Sequence, residues 1–108
     1  MTSEFVHLHN HSDYSLLDGA QRIDQLVNTI DDLNMDSVAL TEHGNMFSVL
    51  PYYKQAKKAG IKPIIGCEIY VAVGSRFEKK ARSDGGWGNN HLILLAQNFT
   101  GYRNLMKL

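Results

Sequence analysis

The sequence predicts an α/β fold in which parallel strands are connected by helical crossovers. The main observation is an alternation along the chain. Short apolar, β-branched runs are followed by segments whose apolar residues recur every three or four positions. The second observation is that polar and glycine-containing stretches separate these segments, without internal repeats or low-complexity sequence. No linker divides the 108 residues, so residues 1–108 are expected to form a single domain.

The first half of the chain is predicted to contain two strands joined by a helix. Residues 5–9 alternate apolar and polar side chains, as a short strand does, and residues 10–20 have the composition of a loop. Apolar residues at helical spacing then predict a helix over residues 21–34. The short apolar run at residues 37–41 predicts a buried strand.

The middle of the chain is predicted to continue with a helix and a long strand. The helix is expected over residues 48–59, with Pro51 tolerated in its first turn and Gly60 directly after its end. Residues 62–72 form the longest β-type run of the sequence and predict a third strand.

The last part of the chain is predicted to contain a loop, a strand and a helix. Residues 73–90 are rich in Gly, Ser, Asn and charge, and are expected to form a long loop. Trp87 is interpreted as part of that loop, with a contact to substrate as the alternative. A fourth strand is predicted over residues 91–97 and a third helix from residue 100 to 108, so that the order is β-α-β-α-β-loop-β-α.

Composition excludes several classes of protein. Eleven acidic and eleven basic residues balance, which argues against a free-standing, strongly basic nucleic-acid binder. Cys67 is the single cysteine, so no internal disulfide is possible and a reducing, cytoplasmic location is expected. The sequence has neither a signal peptide at its start nor an apolar run long enough to span a membrane, and no membrane partner is expected.

Histidine is the unusual feature of the composition. Three of the five histidines, His7, His9 and His11, fall within five residues. Alternation along a strand would place these three side chains on one face. In parallel α/β folds, functional side chains collect at the C-terminal ends of strands, and further polar residues of this chain lie near predicted strand ends. The candidate metal ligands are His9, His11, Asp18, His43, Glu68 and His91.

The histidine candidates differ in how specific their signals are. His9 and His11, two residues apart and followed by Asp18, favour a metal site over separate hydrogen-bonded roles. His7 alone is interpreted as an inward-facing structural residue. His43 follows a strand in a turn, where a ligand and a turn residue are equally compatible with the sequence.

Glu68 is unexpected inside an apolar strand, because burying an unpaired carboxylate is costly. We therefore interpret it as a ligand, and as a candidate bridge between two ions. Gly66 on the same strand face is expected to leave open space beside the carboxylate, and Cys67 to lie on the opposite face as a small core residue. His91 by itself is a weak signal, since it also suits the end of a loop.

Mixed imidazole nitrogens and carboxylate oxygens suit zinc, manganese or iron better than calcium, which prefers oxygen ligands. Zn²⁺ or Mn²⁺ is therefore expected, with iron or Mg²⁺ as alternatives. Several ions bridged by a carboxylate can activate water and neutralise the charge of a phosphate group. The residues predict a multinuclear metal site for the hydrolysis of phosphate esters.

Six stretches of the sequence resemble the motifs of the polymerase and histidinol phosphatase (PHP) domain family. They are HNHS at 9–12, YSLLDG at 14–19, TEHGN at 41–45, KPIIGCEIYVA at 62–72, HLILLAQN at 91–98 and TGYRNLM at 100–106. Together they cover almost the whole chain. The chain is most similar to the branch of the family that opens the alpha subunit of bacterial DNA polymerase III.

This resemblance implies a distorted (β/α)7 barrel that binds as many as three divalent ions, with all six candidates as ligands. The sequence departs from the family at Glu42, where Asp is usual. The remaining family ligands, a Cys and an Asp-x-His pair, would come after Leu108. Residues 1–108 are therefore expected to be one partial PHP domain, the N-terminal part of an incomplete barrel without polymerase domains.

The resemblance implies a metal-dependent phosphoesterase, acting as a 3′–5′ exonuclease or pyrophosphatase once its site is completed; the fragment alone is expected to be inactive. A non-catalytic alternative is a domain that stabilises the polymerase and docks its proofreading exonuclease subunit. A stand-alone histidinol-phosphatase-like enzyme is a third reading, disfavoured by GYRNL at 101–105. Expected partners are the rest of the nucleotidyl-transferring alpha subunit, DNA through the full-length protein, and further copies of the fragment through exposed apolar faces.

Overall fold

The computed structural model describes residues 4–78 and 89–108. Within these ranges the strands form one sheet in the order β1-β2-β3. The strands are β1 (Ser37–Leu40), β2 (Lys62–Ala72) and β3 (Asn89–Leu95). The helices are α1 (Ile23–Asp32), α2 (Val49–Lys58) and α3 (Phe99–Lys107), preceded by a 3₁₀ helix at Asp13–Asp18. In the described part of the chain, each helix is too short and too polar to cross a membrane.

The core lies between the sheet and the first two helices. β1 and β2 are parallel and are connected through α2, which confirms the predicted crossover for this pair. The apolar stripe of α1 faces inward because its apolar residues share one side of the helix. The buried apolar cluster comprises Ile23, Leu26, Val27, Ile30, Val38, Leu40, Tyr52, Ala56 and Ile61.

The three predicted helices are confirmed: α1 and α2 are shorter than predicted at both ends, and α3 begins and ends one residue earlier than predicted. Asn34 was predicted to be helical, but it has a φ of 54° and follows the end of α1 in the left-handed conformation. Pro51 is the third residue of α2, where its missing N–H removes no intrahelical hydrogen bond. Gly60 has a φ of 76° directly after that helix, a conformation that glycine adopts without strain.

The strand predicted over residues 5–9 is not formed, although the segment runs beside β1. Two backbone bonds join it to that strand, from Ala39 N to the His7 carbonyl at 2.9 Å and from Thr41 N to the Asn10 carbonyl at 2.8 Å. The Asn10 backbone N–H donates to the hydroxyl of Thr41 at 3.1 Å. The Asn10 side-chain amide donates to the Ala39 carbonyl at 3.0 Å, an acceptor that a backbone N–H of the segment would use in a regular parallel ladder. Side-chain bonds thus stand where regular strand pairing would need backbone bonds.

The direction of β3 differs from the predicted parallel arrangement. β3 pairs with β2 in antiparallel fashion, with Glu68 opposite Ile93 and Tyr70 opposite His91. A parallel pair would need a crossover, usually a helix, whereas an antiparallel pair can be joined by a loop. The connecting sequence, residues 73–88, lacks an amphipathic stripe. The predicted loop is described only as far as residue 78, and Trp87 lies outside the described residues.

Gly66 does not leave open space on the sheet, contrary to the expectation. A Cβ atom at this position would lie 2.6 Å from the Leu94 carbonyl oxygen and 2.9 Å from Cγ2 of Thr41. The absence of a side chain at Gly66 therefore lets β3 approach β2 closely, which brings the ligand candidate on β3 toward Glu68.

Candidate metal centre

Glu68 lies on β2 at the centre of a cluster of four imidazoles. Its Oε2 atom is 2.7 Å from Nε2 of His11, 3.0 Å from Nδ1 of His43 and 3.4 Å from Nε2 of His9. Its Oε1 atom is 3.0 Å from Nδ1 of His91. Five of the six predicted ligands therefore meet at one carboxylate, which is itself buried.

Backbone pairing at the end of β1 places His43 beside Glu68. The two residues form an isolated parallel bridge. Glu68 N donates to the Glu42 carbonyl at 2.9 Å, and Gly44 N donates to the Glu68 carbonyl at 2.8 Å. His91 reaches the same place from β3, where it lies opposite Tyr70, two residues beyond Glu68 on β2. Because alternate residues of a strand share a face, Tyr70 and Glu68 point to the same side of the sheet.

The cluster has a buried side and an exposed side. The side chains of His11 and Glu68 retain only 16% and 4% of their exposure, whereas His9 and His91 retain 54% and 51%. His43 lies with the buried group. The centre is therefore buried at His11, His43 and Glu68 and exposed at His9 and His91.

The donor atoms fall into two sets that share Glu68. His9, His11 and Glu68 each offer one donor atom within 4.8 Å of the others, and His43, Glu68 and His91 do the same. A carboxylate has two oxygens and can bind one ion through each. The arrangement can accommodate two neighbouring divalent ions with Glu68 between them.

Three buried atoms of the cluster lack a hydrogen bond of acceptable geometry among the described residues: Nε2 of His11, Nδ1 of His43 and Oε2 of Glu68. Buried polar atoms are normally satisfied, so atoms that converge without bonding one another indicate a missing partner. An ionised carboxylate oxygen carries lone pairs, and so does each of these two nitrogens in the neutral tautomer that has its proton on the other ring nitrogen. A cation between them would satisfy all three, and the donor set fits a divalent metal.

The surrounding histidines lower the pKa of Glu68. Burial raises the pKa of its carboxyl group, but His43, the hydrogen bond from His91 and the nearby His9 and His11 side chains outweigh burial and leave the pKa below its usual value. An ionised carboxylate is the form that binds metal.

Cys67 lies on the opposite face of β2 from Glu68 and is buried, as predicted. Burial raises the pKa of its thiol, which also lies 3.4 Å from the Asn45 carbonyl oxygen. A protonated thiol held against backbone carbonyls is a core residue and a poor metal ligand.

Asp18 lies at the edge of the cluster. Its Oδ2 atom is 3.4 Å from Nε2 of His43, and its side chain is largely exposed. It ends the 3₁₀ helix, inside which Leu16 has a φ of 51° and a ψ of −103°. The structure therefore brings Asp18 to the second imidazole nitrogen of His43, outside both donor sets.

His7 was predicted to face inward, and this prediction is wrong. Its side chain is exposed and packs edge-on against the Phe5 ring, with 4.7 Å between ring centroids. The segment is not a regular strand, so alternation does not determine where His7 points. Its carbonyl, rather than its imidazole, supports β1.

Two features of the site were not predicted from the sequence. The Glu42 side chain is buried and accepts hydrogen bonds from Ser12 and Ser15. A carboxylate directly after a buried strand was the available signal, because such a group needs donors. Tyr70 packs parallel to His43, with 6.5 Å between centroids, and edge-on to His91 at 5.0 Å.

Curated relatives with high identity are alpha subunits of DNA polymerase III. The subunit from Borreliella burgdorferi is 57% identical over 106 residues, which are 98% of this chain and 9% of that protein. The subunit from Treponema pallidum is 55% identical over 104 residues, 96% of this chain and 9% of that protein. The chain thus spans about a tenth of the length of the curated relatives that it matches.

A solved structure shares the fold at low sequence identity. A protein of Bifidobacterium adolescentis, assigned as a metal-dependent phosphoesterase, is 17% identical, with a TM-score of 0.64 over 99% of this chain and 34% of that protein. This likeness confirms the predicted α/β class. The model of the PHP domain family matches residues 7–108, which include the whole cluster. The chain therefore belongs to the PHP domain family.

Proposed function

We propose that the chain supplies most of the ligands of a multinuclear divalent-metal site that hydrolyses phosphate esters. The observation that carries this proposal is the sharing of Glu68 between two sets of three donors. Glu68 would bridge two ions, and Asp18 would join through the His43 side of the cluster. The proposed ligands are His9, His11, Asp18, His43, Glu68 and His91.

The donor chemistry favours particular metals. Four imidazoles and two carboxylates suit Zn²⁺ or Mn²⁺, and also iron, better than Mg²⁺, which prefers oxygen and water ligands. Two such ions supply Lewis-acid polarisation of a phosphoryl oxygen and an activated water at neutral pH. As many as three ions would be bound if ligands from elsewhere in the protein complete the family's site.

The buried and the exposed residues of the cluster would have different roles. His11 and Glu68, on the buried side, would fix the position of the site, because their side chains have little freedom to move. His9 and His91 are the exposed members of the cluster, and a phosphate group would enter beside them. Tyr70, half-exposed and packed against both His43 and His91, would form one wall of that entrance.

The relatives extend the proposal to a biological setting. We infer that the chain is the N-terminal part of the PHP domain of a bacterial replicative polymerase subunit, because two such subunits share more than half of its residues. The activity would then be a 3′–5′ exonuclease or a pyrophosphatase. The partners would be the rest of that subunit, DNA and the proofreading exonuclease subunit.

A second function is supported by the positions of the proposed ligands on different elements of the fold. They come from the N-terminal segment, the end of β1, β2 and β3, so bound ions would link four parts of the fold. Metal binding of this kind contributes to folding free energy whether or not turnover occurs. The site would then stabilise the domain as a platform for the polymerase and its partners.

Metal content, thermal stability and phosphodiester hydrolysis of the intact protein separate these functions. The test variant carries His9→Ala and His11→Ala, and the matched control carries His7→Ala, an exposed histidine of the same segment outside the cluster. We expect the test variant to lose bound metal and the control to retain it.

Each outcome has a definite meaning. Hydrolysis that is lost together with the metal in the test variant supports the phosphoesterase. Bound metal and a higher melting temperature in the wild type, without hydrolysis of phosphodiesters or pyrophosphate, support the platform function. Wild-type protein that binds neither Zn²⁺ nor Mn²⁺ would contradict both functions.

A further inference from the structure

The carboxylate of Glu42 is almost completely buried, 1% exposed, immediately before His43. Three donors contact it. The backbone N–H of Ser12 donates to Oε1 at 2.7 Å, the Ser12 hydroxyl donates to Oε2, and the Ser15 hydroxyl donates to Oε1 at 2.8 Å. In all three bonds a Glu42 oxygen is the acceptor. They satisfy a group that would otherwise be costly to bury.

The same network reaches three of the segments that carry the candidate ligands. Ser12 directly follows His11, so its two bonds hold the first segment to the end of β1. Ser15 donates to Glu42 and also accepts the backbone N–H of His43 at 3.0 Å.

β2 is joined to Glu42 through the backbone. The Glu42 carbonyl accepts the N–H of Glu68 at 2.9 Å. Glu42 thus bonds to the residue that follows His11, to the serine that accepts the His43 N–H, and to Glu68 itself. His11, His43 and Glu68 are the three cluster members with the least exposed side chains.

Glu42 itself does not belong to either donor set of the cluster. Its two side-chain oxygens already accept hydrogen bonds from Ser12 and Ser15. Its effect on an ion must therefore be exerted through the backbone positions of other residues.

We propose that Glu42 is a positioning residue that holds His11 and His43 at the distances from Glu68 that a shared metal ion requires. This inference rests on the proposed function. Hydrogen-bonded groups outside the ligand shell typically change metal affinity by about 10- to 100-fold.

The test uses Glu42→Gln and Ser15→Ala in the intact protein. Gln keeps the length of the side chain but replaces one acceptor oxygen with an NH₂ group that faces serine donors. Ala removes the hydroxyl that links Glu42 to His43. The matched control is Tyr52→Phe, which removes a buried hydrogen bond between α2 and β1 outside the cluster.

Affinity for Zn²⁺ and for Mn²⁺ is measured by calorimetric titration beside the melting temperature. We expect both test variants to lose about tenfold or more in metal affinity, and the control to lose stability with an affinity within about twofold of wild type. Wild-type metal affinity in Glu42→Gln, at any melting temperature, would overturn the proposal.

Amide hydrogen exchange in the presence of a chelator provides a readout that does not depend on metal. The N–H groups of Ser12 and His43 donate to the network, so Glu42→Gln should accelerate their exchange while Tyr52→Phe leaves it unchanged. If the wild type binds no metal, the proposed function fails, and the exchange rates alone decide the positioning role. Unchanged exchange at both amides in Glu42→Gln would then reject it.

Discussion

At the scale of single residues, the candidate metal centre depends on backbone contacts as well as ligands. A Cβ atom at Gly19 would lie 1.7 Å from the Ser12 carbonyl oxygen, so a side chain there would force apart the segments carrying His11 and Asp18. We predict that Gly19→Ala lowers the free energy of unfolding by about 1–3 kcal/mol, as overpacking does, and weakens metal binding. Thermal unfolding and metal titration would measure both effects.

Gly60 offers a matched control for that prediction. Its φ is 76°, so Gly60→Ala introduces strain, but a Cβ atom there meets nothing within 4 Å. Gly60→Ala should therefore cost about 1 kcal/mol without changing metal affinity. Equal metal affinities for Gly19→Ala and Gly60→Ala would show that close packing at Gly19 does not shape the site.

The ionisation of Glu68 predicts a pH dependence for the metal-free protein. Its pKa in the folded state lies below the ordinary value of 4.5 because of the surrounding imidazoles. The unfolded state therefore binds the proton more tightly. The stabilisation is complete above the ordinary pKa and is lost as the pH falls through the lowered pKa.

The measurement is the free energy of unfolding against pH, with a chelator present, for wild type and Glu68→Gln. The advantage of the wild type over the variant should shrink as the pH falls below 4.5. A difference between the two proteins that stays constant from neutral pH into that acidic range would argue against the ionised, imidazole-paired state of Glu68.

At the scale of secondary-structure elements, a buried hydrogen bond links α2 to β1. The hydroxyl of Tyr52 donates to the Val38 carbonyl of β1, and Tyr52 is fully buried. Tyr52→Phe keeps the ring but leaves the carbonyl without this donor, so we predict a loss of about 1–3 kcal/mol in the free energy of unfolding. Chemical denaturation would measure the loss. A variant as stable as the wild type would mean that this bond makes no net contribution to the free energy of unfolding.

Sequence periodicity predicted the elements better than their directions. The bounds of β2 and the apolar face of α1 follow from local patterns, because burial requires apolar side chains at those spacings. The antiparallel direction of β3 was not predicted, since a strand has the same residue pattern in either direction. The absence of a regular strand at residues 5–9 was not predicted either, because Asn10 bonds to Ala39 and Thr41, which are 29 and 31 residues away in the sequence.

The sequence also predicted that the histidine candidates would lie close to Glu68. His9, His11, His43 and His91 all lie near Glu68, because the ends of the segments that carry them converge at one edge of the fold. That they bind metal remains a prediction. The need of Glu42 for donors could be predicted from the sequence, but not which donors, because its serine partners are 27 and 30 residues away.

At the scale of the whole molecule, exposed apolar side chains predict self-association of the 108-residue chain. α3 has no buried residue, and both Phe99 and Met106 are exposed on it. We predict that the chain alone shows a concentration-dependent mass in sedimentation equilibrium, and that Met106→Lys weakens association. Leu33→Lys, at an exposed site after α1, is the control. A monomer at all concentrations would contradict this prediction.

Anomalous X-ray diffraction from crystals of the intact protein grown with Mn²⁺ or Zn²⁺ would show whether two ions share Glu68. We predict two anomalous peaks about 3.5–4 Å apart on either side of the Glu68 carboxylate. Donors of His9 and His11 would lie near one peak and those of His43 and His91 near the other, each at about 2.0–2.2 Å. Peaks elsewhere on the surface, with none beside Glu68, would contradict a shared metal site at this carboxylate.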